Sequence, residues 1–154
     1  MVIASVGAGN TVTFYNAAGT VDILADLAGY YAPGVGAGYA AVTPIRVMDT
    51  RIGLGVLKAK VGPGAQSTLT MSGLPVGTTS VALNVTATNA TAASFLSVYP
   101  AGQTRPTVSS LNFTQGQTIP NLVIVRVGVG NTVTFYNAAG TVDILADLAG
   151  YYTP

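Results

Sequence analysis

The chain has 154 residues, a length that suits one domain with a substantial hydrophobic core. Hydrophobic residues make up 49% of it, but charged residues only 7%, far below the ~25% usual for soluble domains. The formal net charge is +1 and neither sign forms a block. We therefore expect no nucleic-acid partner and no attraction to an acidic membrane surface.

The missing residue types exclude most catalytic chemistry. The sequence contains no His, Cys, Glu or Trp. It cannot form a Ser-His-Asp or Cys-His triad, a zinc site with the usual ligands, an iron–sulfur site or a redox disulfide. We expect no enzyme activity, no catalytic residue, no cofactor and no bound metal.

Two segments of the chain bear on targeting and membrane insertion. Residues 2–7, VIASVG, lack the basic region and the cleavage pattern of a signal peptide. Residues 27–45 carry no charge, but they contain Pro33, Pro44 and several glycines, which do not suit a spanning helix. We expect no membrane insertion, and an exported protein whose signal peptide is not in this chain.

The first part of the chain recurs near its end. Residues 10–31, NTVTFYNAAGTVDILADLAGYY, are identical to residues 131–152, a period of 121 residues. We call them the N-terminal copy and the C-terminal copy. Such an identity indicates a tandem array with about one domain per unit. We expect residues 1–33 to be the tail of a preceding unit, 34–38 a glycine-rich linker and 39–154 a complete unit.

The local pattern predicts β-structure. Apolar and polar residues alternate over 11–15, 67–71, 80–88 and 122–127, and β-branched residues dominate these runs. Turn residues separate the runs at intervals of roughly 8 to 12 residues, as in sandwiches and barrels. We predict an all-β, antiparallel β-sandwich, either immunoglobulin-like or jelly-roll-like. Each copy should form a β-hairpin closed by Asn-Ala-Ala-Gly.

The charged residues suggest a structural site. Aspartates four residues apart on a strand point to the same face, so each copy presents two carboxylates together. A nearby cluster of arginines could bind them in bidentate fashion. A calcium site is the alternative, but it needs six or more oxygen ligands, usually from a loop. The residues expected to form structural ion pairs are Arg46, Asp49, Arg51, Asp143, Asp147, Asp22 and Asp26.

Three motifs resemble a known family. They are TPIRVMDTR at 43–51, VALNVTAT at 81–88 and the segment ending DLAGYY in each copy. Together they are similar to a repeat module of secreted and cell-surface proteins of actinobacteria, mostly without an assigned function. The resemblance implies an exported, all-β, non-catalytic module, and it supplies no ligand and no active-site residues.

These observations favour a structural function. A strand-rich chain with few charged edge residues is prone to edge pairing, and one of the two copies is surplus to a single unit. We expect a non-catalytic extracellular repeat that self-associates head-to-tail by donor-strand exchange into a fibre, stalk or surface assembly. The alternative is a module that binds cell-wall or other polysaccharide. The residues expected to mediate assembly are Val12, Phe14, Tyr15, Val21, Ile23, Leu27, Tyr30 and Tyr31.

Overall fold

The computed structural model describes residues 1–2, 4–32 and 34–154, and its strands lie between residues 38 and 153. The strands are β1 (Gly38–Asp49), β2 (Gln66–Thr70), β3 (Ser80–Thr88), β4 (Ser94–Pro100), β5 (Leu111–Phe113), β6 (Ile119–Arg126), β7 (Thr132–Asn137) and β8 (Asp143–Thr153). The described residues contain no helix. The protein is all-β, as the alternating pattern predicts.

The strands form two antiparallel four-stranded sheets. Their orders are β1-β8-β3-β6 and β2-β7-β4-β5. Two facing sheets of this kind make a β-sandwich. Each sheet has four strands, and the chain crosses repeatedly between the sheets. This is the arrangement of an eight-stranded jelly roll rather than of a seven-stranded immunoglobulin constant domain. Pro44 and Pro120 lie on the outer strands β1 and β6, where a proline interrupts the fewest ladder hydrogen bonds.

The core lies between the sheets and follows the period-2 pattern of the strands. In β3 the residues Val81, Leu83, Val85 and Ala87 are fully buried and belong to the core. Phe135 of β7 lies in the same core and is the largest of its fully buried side chains. Because alternate side chains point to opposite faces, Asn84 and Thr86 lie on the other face of β3, away from the core.

The predicted hairpin of the C-terminal copy is wrong. Strands β7 and β8 do not pair with each other: β7 lies between β2 and β4, and β8 lies between β1 and β3 in the other sheet. Residues 138–142 form an arch from one sheet to the other. The alternation of side chains shows which face is buried but not which strand is the partner. Because the arch places β7 and β8 in different sheets, each strand pairs with two other strands. In a hairpin, β7 and β8 would have paired with each other.

The N-terminal copy does not form the predicted strands either. Residues 11–15 and 20–27 contain no strand, and the short bridge between Gly7 and Thr11 is a turn contact. Its sequence is that of β7 and β8, so strand propensity is present. What it lacks is a neighbouring strand, because the C-terminal copy already fills the central position in both sheets.

Candidate functional site

An ion pair joins strands β1 and β8 on the outer face of the sheet. Arg46 and Asp147 are register partners. The Arg46 Nε atom donates to Oδ1 of Asp147 at 2.7 Å and Nη2 donates to Oδ2 at 3.1 Å. This is the bidentate geometry in which guanidinium and carboxylate interact best. The Arg46 side chain is 39% exposed, so solvent screens the pair and its contribution to stability is modest.

Asp49 ends β1 and is the most tightly held carboxylate of the cluster. Its Oδ1 accepts hydrogen bonds from the Arg51 backbone N at 3.0 Å and from Arg51 Nε at 2.9 Å. Its Oδ2 accepts from Arg51 Nη2 at 2.7 Å and, more weakly, from Arg46 Nη1 at 3.5 Å. The hydrogen bonds from Arg51 lower the pKa of Asp49 to about 2, against the opposing effect of desolvation.

Asp143 starts β8 and differs from the expected arrangement, because its salt-bridge partner is a lysine and not Arg46 or Arg51. Lys60 Nζ lies 3.4 Å from Asp143 Oδ2. The same carboxylate accepts hydrogen bonds from Thr50 Oγ1 at 3.1 Å and Asn89 Nδ2 at 2.9 Å. The group therefore ties the loops after β1 and β3 to the start of β8. Lys60 lies outside the segment 43–51 that carries the clustered arginines, so the pattern of charges did not indicate it.

The expected pairing of Asp22 and Asp26 with arginine is wrong. Both residues are exposed, and the ion pairs formed within residues 1–2, 4–32 and 34–154 do not include them. The reason is the position of the N-terminal copy, which lies outside the sandwich. Arg46 is already bound to Asp147, the counterpart of Asp26 in the C-terminal copy.

The described residues hold no group of three or more His, Cys, Asp or Glu side chains that could bind a metal ion.

The hydroxyls of three serines take part in structural hydrogen bonds. Ser97 Oγ donates to the Val108 carbonyl at 2.8 Å, and Ser110 Oγ accepts from the Val98 N at 3.0 Å. Ser94 belongs to the network described next. These hydrogen bonds hold strands and loops in position.

The arch between β7 and β8 contains a buried polar network that the sequence pattern does not indicate. The Asn137 side chain is fully buried. Its Nδ2 lies 3.1 Å from the carbonyl oxygens of Val61 and Gly62 and 2.9 Å from that of Gly140. Its Oδ1 accepts a hydrogen bond from Ser94 Oγ at 2.8 Å. The Asn-Ala-Ala-Gly sequence indicated a turn, but the long-range partners come from the tertiary structure.

The two copies differ sharply in burial. In the N-terminal copy Phe14 is 57% exposed, whereas its identical counterpart Phe135 is 0% exposed. Leu27 is 86% exposed and its counterpart Leu148 only 6%. The other residues expected to mediate assembly are also exposed: Val12, Tyr15, Val21, Ile23, Tyr30 and Tyr31. One copy forms the centre of the sandwich while the other presents the same apolar face to solvent.

The C-terminal end of the N-terminal copy lies beside the last strand. The hydroxyls of Tyr31 and Tyr152 are 2.9 Å apart, and the Tyr39 ring packs on Tyr152 with ring centroids at 5.1 Å. Burial, followed by the hydrogen bond with Tyr31, raises the pKa of Tyr152 to about 12. The two equivalent tyrosines therefore meet at the edge of the sandwich, close to where β1 begins.

Acid should weaken the fold through Asp49. A carboxylate whose pKa is lower in the folded state stabilises that state above the unfolded pKa, and this contribution disappears as the pH falls through the folded value. For Asp49 the loss should span about pH 4 to pH 2 and reach on the order of 2 kcal/mol. Urea unfolding at a series of pH values measures it. The Asp49→Asn variant should have a flatter profile in this window, and an unchanged slope would contradict the assignment.

A comparison of the chain with models of known protein families gives no match, and a comparison with curated proteins gives none either. No helix in the described residues is long and apolar enough to cross a membrane.

Proposed function

We propose that the protein is a non-catalytic structural module that self-associates head-to-tail through its N-terminal copy. One observation carries the proposal: the N-terminal copy exposes the same apolar side chains that form the core in the C-terminal copy. Natural proteins rarely leave such a face uncovered, and a large exposed apolar patch marks an interaction surface. The surface is built for a partner with the same interior as this sandwich.

The free energy available for association is substantial. Five apolar residues of the N-terminal copy are exposed by about half or more: Val12, Phe14, Val21, Ile23 and Leu27. Complete burial of one such side chain is worth roughly 1.5–3 kcal/mol. Because most of these side chains are already about half covered, covering the rest of the face would stabilise an assembly by roughly 4–8 kcal/mol per copy before the entropy of association is subtracted.

The number of copies determines how chains can join. Each chain has two copies but only one pair of central strand positions, which the C-terminal copy fills. Donation of an N-terminal copy to a second chain would displace that chain's C-terminal copy, so the number of uncovered copies stays the same. Donation thus links chains, and contact between uncovered copies supplies the favourable free energy. Because the donating and accepting ends of the chain differ, donation is heterologous and grows open assemblies.

The sheet edges favour contact through one sheet over the other. The outer strands β1 and β6 carry Pro44, Arg46, Pro120 and Arg126, and proline and charge both discourage edge pairing. The outer strands of the second sheet, β2 and β5, contain no charged residue. Lateral contacts in an assembly should therefore form along β2, the longer of these two.

We place this module at the cell surface or among secreted proteins. The support is the similarity of the three sequence motifs to actinobacterial surface repeats, together with the low charge of the chain. In such a setting, contacts between neighbouring units stiffen a fibre or stalk. The module needs no cofactor for this role.

A second candidate function is the binding of cell-wall or other polysaccharide. Tyr15, Tyr30 and Tyr31 are 66% to 88% exposed, and exposed tyrosines can stack on sugar rings. The self-association proposal is preferred because the same segment exposes five aliphatic or phenylalanine side chains as well, which sugars do not require. A pull-down on purified cell wall, compared with a Tyr15→Ala variant, addresses this candidate.

Deletion of residues 1–33 should abolish self-association. Among the residues that the structure describes, the strands and the core residues all lie outside this segment, so residues 34–154 should fold alone. Light scattering coupled to size exclusion, from low to high micromolar protein, should give larger species for the full chain and a monomer for residues 34–154. Phe14→Asp should weaken association, whereas Val76→Asp, an exposed position outside both copies, should not. A full chain that stays monomeric throughout would refute the proposal.

A further inference from the structure

We propose that the N-terminal copy is a second occupant of the site now held by the C-terminal copy of the same chain. The site lies between β1 and β3 in one sheet and between β2 and β4 in the other. In the alternative state, residues 11–16 take the place of β7 and residues 22–32 that of β8, and the C-terminal copy is released. This inference goes beyond self-association, because the exchange needs only one chain.

The fit of the second occupant follows from its sequence. Residues 10–31 and 131–152 are identical. Each side chain of the C-terminal copy therefore has an equal in the N-terminal copy: Phe14 for Phe135 in the core, Asp26 for Asp147 opposite Arg46. Packing and hydrogen bonds within this range are the same in both states.

The N-terminal copy already has the local conformation that the site requires. Its first turn contains Asn10 with φ 59°, and the corresponding Asn131 has φ 58°. The Gly7 N donates to the Thr11 carbonyl at 2.9 Å, matching 2.8 Å between Gly128 and Thr132. The turn that precedes the first strand position is thus preformed, and exchange requires strand pairing there rather than refolding of the turn.

The arch-forming turn is preformed as well. Asn16 Nδ2 donates to the Gly19 carbonyl at 3.0 Å, and Asn137 Nδ2 donates to that of Gly140 at 2.9 Å. Gly19 and Gly140 both have positive φ, at 67° and 56°. This left-handed conformation suits glycine and closes the Asn-Ala-Ala-Gly turn in both copies.

The connection to β1 is short and runs in the right direction. Gly38, the first residue of β1, is the register partner of Thr153, and the two strands are antiparallel. In the alternative state Ala32 stands opposite Gly38, and residues 33–37 close a five-residue loop. Hairpin loops of this length are common in antiparallel sheets. Tyr31 already lies against Tyr152, the residue whose place it would take.

The two states should have similar chain-closure entropies. In the observed state residues 127–131 join β6 to β7, and in the alternative state residues 33–37 join the β8 position to β1. Because closure entropy depends only weakly on loop length, the lengths by themselves change the ratio of the two states by less than a factor of about two. The free-energy difference between the two states therefore depends on the residues outside the identical range. Whichever copy is released carries the exposed apolar face, so the exchange decides which end of the chain is available to a neighbour.

Engineered disulfides can trap each state, because the chain has no cysteine. The Oγ1 atoms of Thr68 in β2 and Thr134 in β7 are 3.1 Å apart, which suits a disulfide between these positions. Thr68→Cys with Thr134→Cys should trap the observed state. Thr68→Cys with Thr13→Cys should trap the alternative state, since Thr13 is the counterpart of Thr134. Thr68→Cys with Thr20→Cys is the matched control, because Thr20 is not opposite Thr68 in either state.

The expected result is a disulfide within one chain for the Thr13 pair, formed at least several-fold more than for the Thr20 pair. Non-reducing electrophoresis and peptide mapping of mixed heavy and light isotope-labelled chains measure it. A yield equal to that of the Thr20 control overturns the inference. A disulfide found only between heavy and light chains also overturns it, while supporting intermolecular donation.

A second measurement uses full-length chains without cysteine. Phe135→Asp should retain at least half of the β-sheet circular dichroism signal, because the N-terminal copy can enter the site. Phe14→Asp should have little effect, and the double variant Phe14→Asp/Phe135→Asp should lose the signal. If Phe135→Asp loses as much as the double variant, the N-terminal copy does not substitute for the C-terminal copy.

Discussion

In residues 34–154, Phe135→Ala should lower the free energy of unfolding by about 3–5 kcal/mol. Phe135 is the largest fully buried side chain, and it packs between the two sheets at the centre of the core. Its truncation removes apolar burial and leaves a cavity that the surrounding strands can only partly fill. Urea unfolding followed by circular dichroism measures the change.

The duplicate supplies the control for this experiment. In the full chain, Phe14→Ala should change the free energy of unfolding by less than about 0.5 kcal/mol, since Phe14 lies outside the sandwich. Residues 34–154 are used for Phe135→Ala so that the N-terminal copy cannot take its place. A loss below about 1 kcal/mol in that shorter chain would contradict the central position of β7.

In residues 34–154, Asn137→Ala should lower the free energy of unfolding by about 2–4 kcal/mol. The Asn137 Nδ2 atom donates to the carbonyls of Val61, Gly62 and Gly140, and its Oδ1 atom accepts a hydrogen bond from Ser94 Oγ. Alanine leaves these buried groups without their partner, and an unsatisfied buried polar group is more costly than the net gain from one hydrogen bond. The measurement is again urea unfolding.

Asn16→Ala in the full chain is the matched control. Asn16 Nδ2 donates to the Gly19 carbonyl, as Asn137 does to that of Gly140, and also to the Ala18 carbonyl; it is exposed, and within the described part of the chain it has no long-range partner. Its substitution should change stability by less than about 0.5 kcal/mol. Equal losses for Asn137→Ala and Asn16→Ala would assign the effect to the local turn and not to the contacts between loop and arch.

The ion-pair cluster shows how far spacing predicts a site. Aspartates four residues apart and the arginines of residues 43–51 indicated charge pairing, and Arg46 does lie on Asp147. Spacing could not separate Asp147 from Asp143, because both occupy the same face of β8. The loops determine which residues pair: Arg51 binds Asp49, and Lys60 contacts Asp143. Partners contributed by loops have no periodicity that a sequence reveals.

The duplicated segment separates what the sequence by itself determines from what the tertiary structure decides. Identical residues form identical turns in both copies, with Asn10 and Asn131 at φ 59° and 58°. These turns close hydrogen bonds over three or four residues, so their information is local. The alternating pattern likewise determines that the chain is β-rich and which face of each strand is apolar.

Strand formation itself is decided only by the tertiary structure. The C-terminal copy forms β7 and β8, while the same residues in the N-terminal copy form neither. A strand needs partners for its backbone and an opposing sheet for its apolar face. For β7 the partners are β2 and β4, which are distant in the sequence, and the opposing sheet is β1-β8-β3-β6. With two copies and one site, the sequence determines what can fill the site, and the competition for long-range partners determines which copy does.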